Sequence, residues 1–302
     1  MKKAIITIAG LLEAARLQGR KRIAVAAAQE GSTLEAVYSA WQAGLAEPIL
    51  IGDLDAIDAL AAGLGIDVSG FARHEAADHA AAAALAVRLV REGSADALMK
   101  GLLDTSILLK AALDRETGIN SGRLMSHVAV LETAHYHKLL FVTDAAINIA
   151  PDLNAKIDIV LNAVAAARAI GIMLPKVALL AAVEKVNAGK MPCTADAAIM
   201  TVMNRRGQIP GCLIDGPLAL DNAVSAASAR LKGIESEVAG DADILVAPDI
   251  EAGNILYKSL MDLGGARGAA IVMGAAKPMI LTSRADSADT KLASIALAAL
   301  AS

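Results

Sequence analysis

The stretch that decides the fold runs from Arg22 to Gly52, RIAVAAAQEGSTLEAVYSAWQAGLAEPILIG. Arg22–Ala28 is an unbroken apolar run after its arginine, as a strand covered on both faces requires. Ser32–Ala43 follows with helical spacing, Ser32 or Thr33 at the N-cap and Glu35 in the first turn. Pro48–Gly52 is a second short apolar strand. Strand, helix and strand in that order make the repeating unit of a parallel α/β sheet.

The alternation continues outward. Ala76–Glu92 is Ala-rich and helical, and Ala97–Lys100 is a strand stopped by Gly101. Val128–Leu131 and Leu140–Thr143 are strands separated by a polar turn around His135–Lys138, which predicts a hairpin and hence a mixed sheet. Asn154–Ala169 is a helix opened by Pro151 and Asp152 and closed by Gly171. Val177–Ala182, Cys212–Asp215, Ile244–Ala247, Ala270–Met273 and the short Ile280–Leu281 are strands; Ala195–Arg206 and Asp289–Ala301 are helices. A chain of 302 residues is long enough for about two domains. Polarity rises at Ala134–Lys138, which marks a boundary.

Hydrophobic residues make up 56% of the chain but aromatics only 2%, so the core is built from small aliphatic side chains, Ala above all. Such a core lets helices lie close on a sheet. A net charge of -4 without a basic face excludes non-specific nucleic-acid binding. The N-terminal MKKAIITIAGLLEAARLQGR is interrupted by Glu13 and Arg16 at helical spacing, which reads as a helix rather than a signal peptide. With no uncharged apolar run of about 18 residues, no membrane span is expected. Cys193 and Cys212 form no CxxC pair and no disulfide framework, which fits a cytoplasmic protein.

In α/β sheets ligands sit beyond the carboxyl ends of strands, and five such ends here carry polar residues. Lys100–Ser106, KGLLDTS, leads from a strand into a helix start whose free N–H groups suit a phosphate. Val142–Asp152, VTDAAINIAPD, offers Asp144 and Asn148. Asp215–Ala223, DGPLALDNA, predicts a turn at Asp-Gly-Pro, with Asp221 and Asn222 as caps of the next helix. Gly240–Asn254, GDADILVAPDIEAGN, ends in a glycine that admits a second backbone or a ligand, followed by an amide. Pro278–Ser287, PMILTSRADS, places Ser and Arg at a polar helix start, and Arg binds phosphate through two parallel N–H bonds. For each of the first three taken alone, an ordinary cap or turn explains the residues better than a ligand does. No GxGxxG, GxxxxGK[ST], GxSxG or HExxH pattern occurs. His135 and His137 read as solvated surface residues, and no metal site is expected.

Taken together, MKGLLDTS, GRLMSHVAVLE, LLFVTDAAINIAPDL, RRGQIPGCLIDGPLALDNAVS, VAGDADILVAPDIEAGNILYKSL and ILTSRADS resemble, in order and spacing, the phosphate acetyltransferase and phosphate butyryltransferase family. The resemblance runs from about residue 20 to the C-terminus and is closer to the butyryl branch. It implies an α/β fold of two doubly wound domains with parallel or mixed sheets and an interdomain cleft, like the isocitrate and isopropylmalate dehydrogenases. The first domain is expected at 1–134 plus 276–302, and the second, at 135–275, is expected to dimerise. The implied reaction is acyl-CoA plus phosphate giving acyl phosphate plus CoA, for acetyl- to butyryl-sized chains. Coenzyme A serves as a substrate and no cofactor is bound. The implied partners are small molecules and a second copy of the chain.

Carried over residue by residue, the family's Ser-Arg pair falls on Ser283 and Arg284, with Thr282 beside them. Ser283 is expected to hydrogen-bond the thiol or carbonyl oxygen, and Arg284 to hold phosphate. A further phosphate-side arginine falls at Arg123. Asn254 is expected at the phosphate or acyl end, and Lys100, Thr105 and Asp144 complete the expected binding set. The acetyl branch has a basic Asp seven positions after the serine, where this chain has Thr290; the base is therefore assigned to Asp289, with Asp286 second. Lys110 stands where the acetyl branch has an arginine. Two other readings compete. A catalytically silent domain that senses acyl-CoA or acyl phosphate is favoured by Thr290 and disfavoured by Ser283, Arg284 and Asn254. A metal-dependent decarboxylating dehydrogenase of similar fold needs clustered Asp ligands and a nucleotide fingerprint, and the fingerprint is missing.

Overall fold

Chain elements follow from where the apolar runs and caps fall. The computed structural model describes residues 4–283 and 286–302. In chain order the first elements are α1 (Ile8–Gln18), β1 (Lys21–Ala26), α2 (Gly31–Gln42), β2 (Ala46–Gly52), α3 (Leu54–Leu64), β3 (Ala72–Glu75), α4 (His79–Arg91), β4 (Ala97–Lys100) and α5 (Thr105–Leu113). Then come β5 (Ser126–Glu132), β6 (Leu140–Thr143), α6 (Leu153–Ala169), β7 (Lys176–Leu180), α7 (Pro192–Arg205), β8 (Leu213–Leu218), α8 (Leu220–Val224), α9 (Ala226–Leu231), β9 (Ile244–Val246) and α10 (Ile250–Lys258). The chain ends with β10 (Arg267–Met273), β11 (Met279–Ile280) and α11 (Ala288–Ala301). It folds as two compact units, one of residues 9–123 with 269–302, the other of residues 4–8 with 124–268.

In the first unit the strands run in the order β3-β2-β1-β4-β11-β10. All neighbouring pairs are parallel except β10 with β11. Strand order reverses direction at β1, so right-handed crossovers put α2 and α3 on one face and α4 on the other. The carboxyl ends of β1, β4 and β11 share one edge. There Gly101 and Leu102 donate to the carbonyls of Ala26 and Ala27 at 2.8 and 2.6 Å. A β-carbon on Gly101 would lie 2.1 Å from the Ala27 oxygen, so only glycine lets the two strand ends touch.

The second unit has the order β5-β6-β9-β7-β8. The expected hairpin is present as the antiparallel β5–β6 pair, and the remaining pairs are parallel. Both units therefore carry a mixed sheet covered by helices.

Some local readings change. α2 starts with Glu30 at the N-cap, not Ser32 or Thr33. Ser32 instead accepts from the Lys291 ammonium at 2.9 Å, and Thr33 bonds the Glu30 carboxylate. Asp215-Gly216-Pro217 does not end its strand. β8 is an edge strand, where a missing N–H is tolerated, and a register shift opposite Ala178–Leu180 lets pairing resume at Leu218. Asp221 and Asn222 cap nothing: α8 begins after Ala219, which leaves Asn222 buried inside it, and Ser225 caps α9. β3 has four exposed residues and so no apolar run to mark it.

The motif Gly240–Asn254 is largely structural. Asp243 pairs with Lys138 at 2.6 Å and accepts the Lys176 N–H at 2.8 Å. Asp241 pairs with Lys176 and Lys138 at 2.7 and 3.0 Å. Burial pushes the Asp241 carboxyl up, but the hydrogen bonds and charges of Lys176 and Lys138 outweigh it and hold the pKa down at about 2. Asp249 caps α10 through the Ala252 N–H at 2.9 Å. Gly253 then meets the carbonyl of Asp144, which a β-carbon would approach to 2.1 Å.

Two outcomes are expected. Gly253→Ala should cost about 3 kcal/mol by overpacking backbone against backbone; urea unfolding within about 1 kcal/mol of wild type contradicts the contact. A carboxylate with a lowered folded pKa stabilises above its unfolded value of about 4 and loses that contribution as pH falls. Asp241→Asn should therefore flatten the loss of stability between about pH 4 and about pH 2, read by urea midpoints across that range.

Candidate active site

The first unit gathers several of the expected residues on its carboxyl edge. Thr282 and Ser283 follow β11 one residue after its end, Lys100 ends β4, and Thr105 opens α5 with Asp104 at the N-cap. Ser283 and Asp286 close a turn on themselves. The Ser283 N–H donates to the Asp286 carboxylate at 2.7 Å, and the Asp286 N–H returns to the Ser283 carbonyl at 3.1 Å. Arg284 lies outside the described residues. Ser283 is exposed, Thr282 is buried, and the Thr282 hydroxyl has no hydrogen-bond partner among the described residues.

α11 starts at once after this turn. Ser287 is its N-cap and accepts from the Thr290 N–H at 3.2 Å, while the two hydroxyls lie 3.1 Å apart. Thr290, at the position of the expected base, is thus buried in the cap of the helix. Asp289 is exposed in the first turn, and Asp286 is committed to the Ser283 N–H. The sequence reading passed over Lys291, whose ammonium bonds the carbonyls of Ser283 and Asp286 at 3.2 and 3.0 Å. Its signal was available: it is the one basic residue in ADTKLASIALAALA.

Lys100 is buried, and its ammonium donates to the carbonyls of Gly101 and Leu103 at 3.1 and 3.3 Å. Thr105 is exposed. Lys110 is exposed on α5. Arg123 is exposed, and its N–H donates to the Ser121 hydroxyl at 3.4 Å. The loop of Ser121 is tied back to Gly274 through the serine hydroxyl.

Within the second unit Asp144 and Asn254 are brought together at the ends of β6 and β9. Asp144 is 3% exposed. Its carboxylate accepts N–H groups from His127, Ala146, Ile147 and Asn148 at 3.2, 2.8, 3.0 and 3.3 Å, and the Asn148 amide at 2.6 Å. So many donors fix the loop after β6, which makes Asp144 an organiser of backbone. Asn254 donates to the Ala145 carbonyl at 3.0 Å and is otherwise exposed. His127, buried, stacks edge-on against Tyr257 at 5.8 Å.

Other features bear on chemistry less directly. Among the described residues no three His, Cys, Asp or Glu side chains gather into a group able to hold a metal ion. His137 pairs with Asp241 at 2.9 Å on the surface. Cys193 and Cys212 are free thiols, both pushed up by burial, Cys212 to about 11. Neither environment activates a thiolate. Among the described residues no helix is long and apolar enough to cross a membrane.

Comparison with known proteins places the whole chain among its relatives. The family described as Phosphate acetyl/butaryl transferase matches residues 6–84 and 75–299. The phosphate butyryltransferase of Clostridium acetobutylicum is 50% identical over 280 residues, covering 93% of each chain. The phosphate acetyltransferase of Thermotoga maritima is 45% identical over 292 residues, covering 96% of this chain and 98% of the relative. Among solved structures, a branched-chain phosphotransacylase from Enterococcus faecalis V583 superposes with a TM-score of 0.81 at 34% identity, over 93% of this chain and 99% of that one. With near-complete coverage by the family and identities of 50% and 45% to these two relatives, this chain belongs to the phosphate acetyl/butyryl transferase family of acyltransferases.

Proposed function

We propose that this chain catalyses acyl-CoA plus phosphate giving acyl phosphate plus CoA, with acyl groups of acetyl to butyryl size. Family membership supports the reaction, and the Ser283–Asp286 turn carries the assignment of residues. An exposed serine on a closed turn at the carboxyl edge of a parallel sheet is a placed hydroxyl, held before any substrate arrives.

In the direction of acyl-CoA synthesis, the CoA thiol gives its proton to a carboxylate. The thiolate attacks the acyl phosphate carbonyl, a tetrahedral oxyanion forms, and phosphate leaves with the electron pair of the broken C–O bond. Charge grows on the carbonyl oxygen and then on phosphate, so donors aimed at those oxygens lower the barrier most. Ser283 is the donor to the thiol or carbonyl oxygen. Arg284 holds phosphate bidentately, with Arg123 as a second cation and Thr282 beside them. Asp289 is the base. Asp286 is spent on the turn, which supports the exposed Asp289 over it. Thr105 offers a hydroxyl and free N–H groups at the start of α5, and Lys100 adds its charge at the end of β4. In the second unit Asn254 contacts the phosphate or acyl end, and Asp144 holds the loop against which Asn254 rests.

The same reading assigns the two units as two domains in an architecture like that of the isocitrate and isopropylmalate dehydrogenases. It gives a homodimer joined through the second unit, which exposes Ile199 and Val202 on α7 at 45% each, with Met173 and Leu174 at 56% and 55%. The free thiols fit a cytoplasmic protein.

Arg284→Ala is expected to cut turnover by about two orders of magnitude or more while leaving the thermal midpoint unchanged; near-normal turnover overturns its role. Asp289→Asn should lower kcat by about 10²-fold or more, with Asp286→Asn losing heat stability as well as rate. Equal kcat in Asp289→Asn and wild type moves the base elsewhere. CoA-dependent formation of acyl phosphate from acetyl-, propionyl- and butyryl-CoA reads all of these, and its complete absence in wild type favours the sensing domain.

A further inference from the structure

Lys291 is 1% exposed, the side chain of a cation placed in the core. A buried charge is tolerated when its hydrogen-bonding capacity is filled. An ammonium has three N–H donors, and Lys291 has three acceptors, all neutral: the Ser32 hydroxyl at 2.9 Å, the Ser283 carbonyl at 3.2 Å and the Asp286 carbonyl at 3.0 Å. A methionine would fill the same space without the desolvation cost. What the lysine adds is therefore what it holds.

The two carbonyls it grips are the first and last of the Ser283–Asp286 turn. The hydroxyl it grips is in the first turn of α2, directly after β1. Lys291 itself is in the first turn of α11. One ammonium thus joins the loop between β11 and α11 to the start of α2, 259 positions away in sequence. The turn has its own two bonds between Ser283 and Asp286. Lys291 adds bonds from behind that tie both of its carbonyls to the core.

We propose that Lys291 is a positioning residue for acyl transfer, fixing from the core the backbone of Ser283 and Asp286 and with it the Ser283 hydroxyl. The inference rests on the phosphate acyltransferase reading above. A hydroxyl displaced by about 1 Å costs rate far more than affinity, so loss of the ammonium is read in kcat and not in KM.

The test compares Lys291→Met, Ser32→Ala and the double variant with wild type and Arg284→Ala. Lys291→Met is expected to lower kcat by about 10- to 100-fold, with KM for acyl-CoA within about threefold. Exchange of the Asp286 amide hydrogen should speed up while that of β1 and β4 amides stays as in wild type. Ser32→Ala removes one of the three acceptors and should lower kcat by about fivefold, the weight of one hydrogen bond. Because both act through one ammonium, the double variant should be no slower than Lys291→Met alone. If Lys291→Met fails to fold, Ser32→Ala still decides: wild-type kcat there overturns the proposal. So does Lys291→Met with full turnover, or with a raised KM and unchanged kcat, in an enzyme that Arg284→Ala still silences; in that event the acyltransferase reading stands and only this inference falls. A wild-type enzyme without acyl phosphate chemistry removes both.

Discussion

Two backbones can touch only where no side chain stands between them. This chain meets that constraint at two of the strand ends that bear on function. In the first unit Gly101 rests on Ala27, so the chain leaving β4 is bonded to the end of β1 and not held away from it. In the second, Gly253 rests on the carbonyl of Asp144, so α10 starts against the loop that leaves β6. Each contact sets the height at which polar residues emerge from the sheet. The alanine-dominated core extends the same principle to helices, which pack close because their facing side chains are short.

Polar residues then finish what close packing begins. Asp144 gathers donors from five groups, Asp243 links the hairpin to β7, and Lys291 binds three oxygens, two from one turn and one from a helix. None of these is a surface ion pair of small value. Each lies where an unfilled hydrogen bond would be costly, so each specifies one arrangement of loop over another.

How much of this was legible depended on whether a residue's role is local. The apolar runs of β1, β4 and β6 mark themselves, and so does the hairpin of β5 and β6. Gly253 is readable as a point of close approach, although not as one made by Asp144. Ser283, Asp286 and Asp289 were visible as a polar cluster at a helix start, but which carboxylate holds the turn is settled by the Ser283 N–H, a fact of geometry. Ser32 looks like a helix cap and is a partner of Lys291, because a residue 259 positions away takes its hydroxyl. β3 escapes notice because its residues face water, and Asp-Gly-Pro looks like a stop because the register shift that absorbs it shows only in the pairing of β8 with β7.

That register shift has a consequence for the behaviour of many copies in solution. An edge strand with an intact row of N–H and C=O groups is a template on which another chain can pair. β8 interrupts its row at Pro217 and at the slip opposite Ala178–Leu180, and β3, the outer strand of the other unit, is four residues long and carries Arg73, His74 and Glu75. Neither rim offers a continuous ladder to a stranger. Crowding such molecules together leaves helix faces, rather than sheet margins, as the surfaces through which they can adhere.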